Sequence, residues 1–228
     1  MSNVYWDGEN WLTVIVKDNS REYYLNGVKH RKDGPSQLLF NQNGSIILEK
    51  FFVNGIRDNS DEPSVIGYDN DGSSLIKMYY VNDKLHRDDG PALIEYYENE
   101  VVQSEYYYIN GVKHREDGPA HIDYFENGII SNEVYYQNDK KHRENGPAEI
   151  WYYDNGNIEF KEYCYNGKKH REDGAAVIFY SNNSDDFKET YYYNGTKIDI
   201  ENLPFDFPID DTKKEFYMNL KYGNIKNE

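Results

Sequence analysis

EYYYINGVKHREDGPAHIDYFENGIISN, residues 105–132, is the stretch whose reading decides the fold. It opens on an extended aromatic run, Glu105 to Ile109, that stops at Asn110-Gly111, the dipeptide preferred in two-residue hairpins because both positions tolerate positive φ. A returning strand starts at Val112-Lys113-His114. Arg115-Glu116-Asp117-Gly118-Pro119 then interrupts it, and reads as a bulge or short loop because Gly permits unusual dihedrals and Pro cannot donate to a ladder. The alternating run Ala120, Ile122, Tyr124 continues to a second turn at Asn127-Gly128. One such unit supplies two strands and two turns.

Working outward, the first turn recurs at Asn26-Gly27, Asn54-Gly55, Asn82-Asp83, Asn138-Asp139, Asn166-Gly167 and Asn194-Gly195, each 28 positions after the last. The second recurs at Asn43-Gly44, Asp71-Gly72, Asn99-Glu100, Asn155-Gly156 and Asn183-Ser184. A period this strict marks a repeat protein, in which each unit buries itself against its neighbours. Apolar columns such as Ser36, Leu38, Phe40 and Ala148, Ile150, Tyr152 give the strands one inward face. Aromatic pairs before six of the seven first turns, from Tyr23-Tyr24 to Tyr191-Tyr192, put rings on both faces.

The expected fold is therefore all-β: an elongated single-sheet antiparallel β-meander of about seven 28-residue repeats, on the order of 65 Å long at ~4.8 Å per strand. Open sheet edges need covering. Residues 1–19, with an Asp7-Gly8 turn signal between Trp6 and Val16, are assigned to an N-terminal cap and residues 20–203 to the array. Residues 204–228 are assigned to a C-terminal cap containing a short helix over 210–223, where an acidic start, a Phe216/Leu220 pair and a final Gly223 supply helix signals.

Charge bounds the function. With 25 Lys+Arg against 41 Asp+Glu the net charge is -16, which opposes nucleic acid and anionic membranes. Mean hydropathy is -0.96, no stretch is long and apolar enough to span a membrane, and the N-terminus lacks a leader pattern, so a soluble, intracellular, cytoplasmic protein is expected. Cys164, the single cysteine, stands where other units have Tyr or Phe and reads as a small core substitute.

The string Asn-Gly-x-Lys-His-Arg-x-Asp-Gly-Pro-Ala, clearest at 110–120, followed by x-Ile-x-Tyr-x-x-Asn-Gly, resembles MORN-type repeats, in particular the divergent branch of bacteria and large DNA viruses, some members of which carry the label of YwqK-type antitoxin. The resemblance covers about residues 20 to 200. It implies a β-meander scaffold, often self-associating, with lipid binding proposed for some members. The longer unit here, the missing Tyr-x-Gly-x-Trp signature and the acidic balance count against lipid binding.

His30, His86, His114, His142 and His170 occupy one phase of five units, with Asp33, Asp89, Asp117 and Asp173 three residues on in four of them. Equivalent histidines two strands apart lie about 9.6 Å from one another, too far to share a zinc at ~2.1 Å per ligand. No Ser or Cys recurs beside them as a nucleophile. The column reads as structural: each His pairs across its hairpin with a Tyr, as His114 with Tyr107, and the Asp accepts from loop backbone, His or Arg. No catalytic residue, metal or cofactor is assigned. The candidate interaction face is Tyr24, Tyr80, Tyr108, Tyr136 and Tyr192 with Lys113, Lys141 and Lys169. A non-enzymatic scaffold for a protein partner or self-association is expected, the alternatives being an antitoxin-like neutralising binder or a carbohydrate-binding module using exposed Tyr.

Overall fold

A computed structural model describes residues 3–58, 61–182 and 185–199. Every regular element among them is a β-strand. The expected C-terminal helix lies outside the described residues. The chain divides into two compact units, Met1–Ile130 and Ser131–Glu228.

The first unit is an antiparallel meander of Asn3–Trp6, Trp11–Lys17, Ser20–Leu25, Gln37–Phe40, Ile46–Lys50, Val65–Tyr68, Ser74–Met78, Leu93–Tyr96, Val102–Tyr106 and His121–Tyr124, each strand pairing with the next. The second runs from the strand ending at Val134 through Glu149–Tyr152, Ile158–Glu162, Val177–Tyr180, Phe187–Tyr193 and Thr196–Ile198 in the same manner. Among the described residues no pairing joins the first strand of either unit to its last, so neither meander closes on itself.

The two turn series fold differently. At the first, both central residues are left-handed, as in Asn26 (φ 49°) with Gly27 (φ 84°) and Asn110 (φ 53°) with Gly111 (φ 85°), which is the type I′ hairpin that Asn-Gly favours. At the second, only the later residue has positive φ, from Gly44 at 84° to Glu100 at 63°. There the Gly44 N–H bonds the Asn41 carbonyl at 3.0 Å and the Asn41 N–H bonds that of Ser45 at 2.9 Å, a three-residue loop that ends in a bulge.

The strands leading to Asn26-Gly27 and Asn194-Gly195 run through unbroken, but those leading to the turns at 82–83, 110–111, 138–139 and 166–167 do not. Val102–Tyr106 ends, and Tyr108–Ile109 pairs with Val112–Lys113 in a separate two-stranded hairpin. Tyr107 links the ladders, its N–H bonding the Ala120 carbonyl at 2.8 Å while its own carbonyl accepts from His114 N–H at 3.2 Å. Three further hairpins of this kind lie at 80–85, 136–141 and 164–169.

Burial follows the small residue after each loop. Ser36, Ser64, Ala92, Ala120, Ala148 and Ala176 are all completely inaccessible, and Leu38, Ile122, Ile150 and Ile178 are buried two residues on. At the N-terminal end Leu12, Val14, Tyr23 and Leu38 pack with Tyr5, Leu25 and Phe40.

Candidate functional site

The His-Arg-x-Asp-Gly-Pro loops carry the densest recurring polar chemistry of the chain, and each side chain has a definite task. In four of the five loops the His ring reaches into the following hairpin, whereas the buried Nδ1 of His114 has no hydrogen-bond partner. His30 Nδ1 accepts from Asn54 N–H at 3.0 Å, His86 from Asn110 at 3.1 Å, His142 from Asn166 at 3.1 Å and His170 from Asn194 at 3.2 Å. An accepting Nδ1 assigns the proton to Nε2. That nitrogen faces Asp7 at 3.5 Å on His30, Asp88 at 3.1 Å on His86 and Glu172 at 3.6 Å on His170. Beside the His bond a second bond seats the hairpin tip on its predecessor: Gly55 N–H to Lys29 O, Gly111 to Leu85 and Gly195 to Lys169, each 2.8 Å. Where the sequence has Asp58 in place of His, Asp58 Oδ1 takes the equivalent bond from Asn82 N–H at 3.3 Å.

The Arg turns the other way. Its guanidinium lies over the Tyr of its own unit, with centroid distances of 4.4 Å for Arg31 on Tyr23, 4.0 Å for Arg87 on Tyr79, 4.0 Å for Arg115 on Tyr107 and 4.1 Å for Arg171 on Tyr163. Its Nε donates to the Asp two residues on, and in Arg31, Arg115 and Arg171 one Nη donates at 3.3 Å to the carbonyl four residues on. The Gly before Pro leaves room for that guanidinium: a Cβ on Gly118 would stand 3.0 Å from Arg115 Cζ. The hydrogen bond from Arg115 holds the exposed Asp117 carboxyl below its usual pKa.

The expected cross-hairpin packing of His114 on Tyr107 is thus corrected. Their backbones pair, but Arg115 covers the ring. His114 and Arg115 lie beyond the Val112–Lys113 strand, so strand alternation does not decide which of them covers the ring. In the second unit the histidines lie against the next hairpin, His142 with Tyr165 at 4.8 Å and His170 with Tyr193 at 4.9 Å between ring centroids. Asp33, Asp89, Asp117 and Asp173 serve as Arg acceptors, one of the roles read from the sequence.

Of the candidate interaction face, Tyr24, Tyr80, Tyr108, Tyr136 and Tyr192 are all half-buried. Tyr24, Tyr108, Tyr136 and Tyr192 pair across their hairpins with lysines, and Tyr80 with Leu85. Lys113 stands 4.8 Å from the Tyr106 ring centroid. Lys141 bonds both Glu149 and Glu162, and Lys169 bonds Glu162 at 2.7 Å. Glu149 and Glu162 are buried cross-strand neighbours, an arrangement that would repel without the two ammonium groups between and beside them. Burial opposes its charge, yet the Lys169 and Lys141 partners hold the Glu162 carboxyl below its usual pKa. Cys164 is buried beside it, its thiol pushed up to about 12 by burial and by Glu162, which makes it a poor nucleophile.

Accessible surface lies elsewhere. A cleft of about 760 Å³ opens between loops 143–146 and 170–173, and one of about 420 Å³ between 87–90 and 114–117. Their rims carry exposed carboxylates, Asp88, Asp89, Glu116, Asp117, Glu172 and Asp173 among them. Sequence reading missed the exposed Trp151 and Phe179, which flank the buried Phe160 at 4.9 and 4.8 Å; their place on alternate positions of adjoining strands was the available signal. Among the described residues no group of three or more His, Cys, Asp or Glu side chains is placed to hold a metal ion, and no helix is long and apolar enough to cross a membrane. No family model and no curated protein matches the chain, so the resemblance to MORN-type repeats rests on the quoted residues.

Proposed function

We propose that this protein is a non-enzymatic scaffold that binds a protein partner along its recurring loops. One observation carries the reading: four of the five His rings bond the following hairpin and the guanidinium groups are engaged within their own loops, while the groups left toward solvent are carboxylates and ring edges repeated at the same 28-residue interval. Such a surface suits multivalent contact, in which several weak sites add up. The exposed carboxylates select a partner with basic side chains, and half-buried tyrosines such as Tyr108 supply apolar contact. This is the property an antitoxin-like binder of a basic protein would use. Carbohydrate binding through exposed Tyr has less support, since Tyr24, Tyr80, Tyr108, Tyr136 and Tyr192 are half-buried.

The test is affinity capture from the native cell with the parent chain and, in parallel, with a variant carrying Glu116, Asp117, Glu172 and Asp173 changed to Ser. The expected partner is basic, is retained by the parent in a salt-sensitive manner and is lost by the variant, whose far-UV spectrum stays that of a β protein. A partner held equally by both proteins, or turnover of a captured small molecule, would sink the proposal.

A further inference from the structure

Five arginines hold the second position of the His-Arg motif, and four of them have an aspartate two residues on. Arg143 has Asn145. In the four sister loops Nε meets Asp Oδ1 at 2.7 Å (Arg31), 2.9 Å (Arg87), 3.0 Å (Arg115) and 2.7 Å (Arg171). The Arg143 side chain is otherwise held as they are, its guanidinium 3.8 Å above the Tyr135 centroid and its Nη1 bonded to the Pro147 carbonyl at 3.2 Å, although Gly146 in this loop has a φ of 143°. Among the described residues no carboxylate lies within ion-pair distance of it. Arg143 and Asn145 line the cleft of about 760 Å³.

We propose that Arg143 and Asn145 form a binding site for a carboxylate supplied by a ligand, in the place that the aspartate takes in the sister loops. The molecule itself is the template: four copies of the same loop show a carboxylate oxygen on Nε at normal charge-assisted distance. Asn145 adds what an aspartate there cannot, an amide donor for the second oxygen of the ligand. The neighbouring Glu144 does not forbid a second carboxylate, since Asp88 with Asp89 and Glu116 with Asp117 place two acids on one loop in this same chain. Glu172 and Asp173 on the opposite wall, with Asp173 already held by Arg171, set the limit. They admit a single negative charge and disfavour a doubly charged phosphate. The ligand class is thus a monocarboxylate, such as an aspartyl or glutamyl side chain or a peptide C-terminus.

The test follows the Nε–H resonances of the five arginines in the full, isotope-labelled chain during titration with N-acetyl-aspartate methylamide and, separately, with inorganic phosphate. The expected result is a saturable shift of Arg143 alone, half-complete in the millimolar range as suits one exposed charge pair. Phosphate should move it less. Asn145→Asp should abolish the response while leaving the backbone spectrum unchanged, because the loop then fills its own site. Parallel, non-saturating shifts of all five arginines, an undiminished response in Asn145→Asp, or a larger response to phosphate would each overturn the assignment.

Discussion

The strands of the two meanders and the small hairpins beside them share one 28-residue period, yet they are held by different means. Each sheet strand bonds a neighbour along its backbone, and its inward positions accept either Ser or Ala after the loop and either Leu or Ile two residues on, as Ser36 and Leu38 against Ala120 and Ile122 show. The separate hairpins have two residues per strand, far too few to stand alone. Side chains sent from elsewhere help to hold them: Asp58 at 80–85, His86 at 108–113 and His142 at 164–169, and the Arg that ties Tyr, Asp and carbonyl together. The motif recurs with little change where local structure is insufficient, and the sequence drifts where a backbone ladder suffices.

The largest effect is expected in the sheet. Ala120 is wholly inaccessible, so Ala120→Leu must displace packed neighbours and should lower stability by about 3 kcal/mol, read as a lower urea midpoint with unchanged slope. An unaltered midpoint would show that the sheet is no more demanding than the hairpins.

Next comes the His bond. His142→Ala removes a buried ring and leaves the Asn166 N–H without its acceptor, at a cost of about 1 to 3 kcal/mol. The sharper expectation is local: hydrogen exchange at Asn166 and Gly167 should speed up before that of Glu149–Tyr152 changes. His142→Asp should recover part of the loss, since Asp58 already makes this bond to Asn82. If alanine and aspartate variants behave alike, the ring serves by packing alone.

Gly118→Ala tests the room beneath Arg115. The added methyl meets the movable end of a side chain, so the guanidinium must slide off Tyr107 and the loss should be about 1 kcal/mol, accompanied by a shift of the Arg115 Nε–H resonance.

Asp117→Asn should have the smallest effect, because Arg115 keeps Tyr107 and the Pro119 carbonyl. The sign of its pH dependence is fixed. Arg115 lowers the Asp117 pKa in the folded chain, so the contribution is present above the ordinary value of about 4 and fades as pH falls through the lowered native one. Melting curves of parent and variant should therefore converge in strong acid, and a gap that widens there would contradict the pairing.

Several features were legible in the sequence because their causes are local. The Asn-Gly hairpins follow from the left-handed dihedrals that Asn and Gly tolerate, as at Asn166 (φ 50°) and Gly167 (φ 79°), and the inward strand face follows from alternation. Less was legible of the candidate site. Hairpin pairing assigned Tyr107 to His114, whereas Arg115 takes the ring, and Lys141, read as part of an interaction face, is engaged by Glu149 and Glu162.

The chain by itself determined where it turns, which face of each strand is inward, and that a small residue must follow every loop, since dihedral preference, alternation and side-chain volume belong to each residue and its immediate neighbours. Only the tertiary structure decided that His142 meets Asn166 in the following hairpin, that Lys169 meets Glu162 across the strands, and that Arg143 alone of its row has no carboxylate beside it among the described residues. A donor finds its acceptor through the register and spacing of segments that are distant in sequence, and those are settled only when the strands have paired.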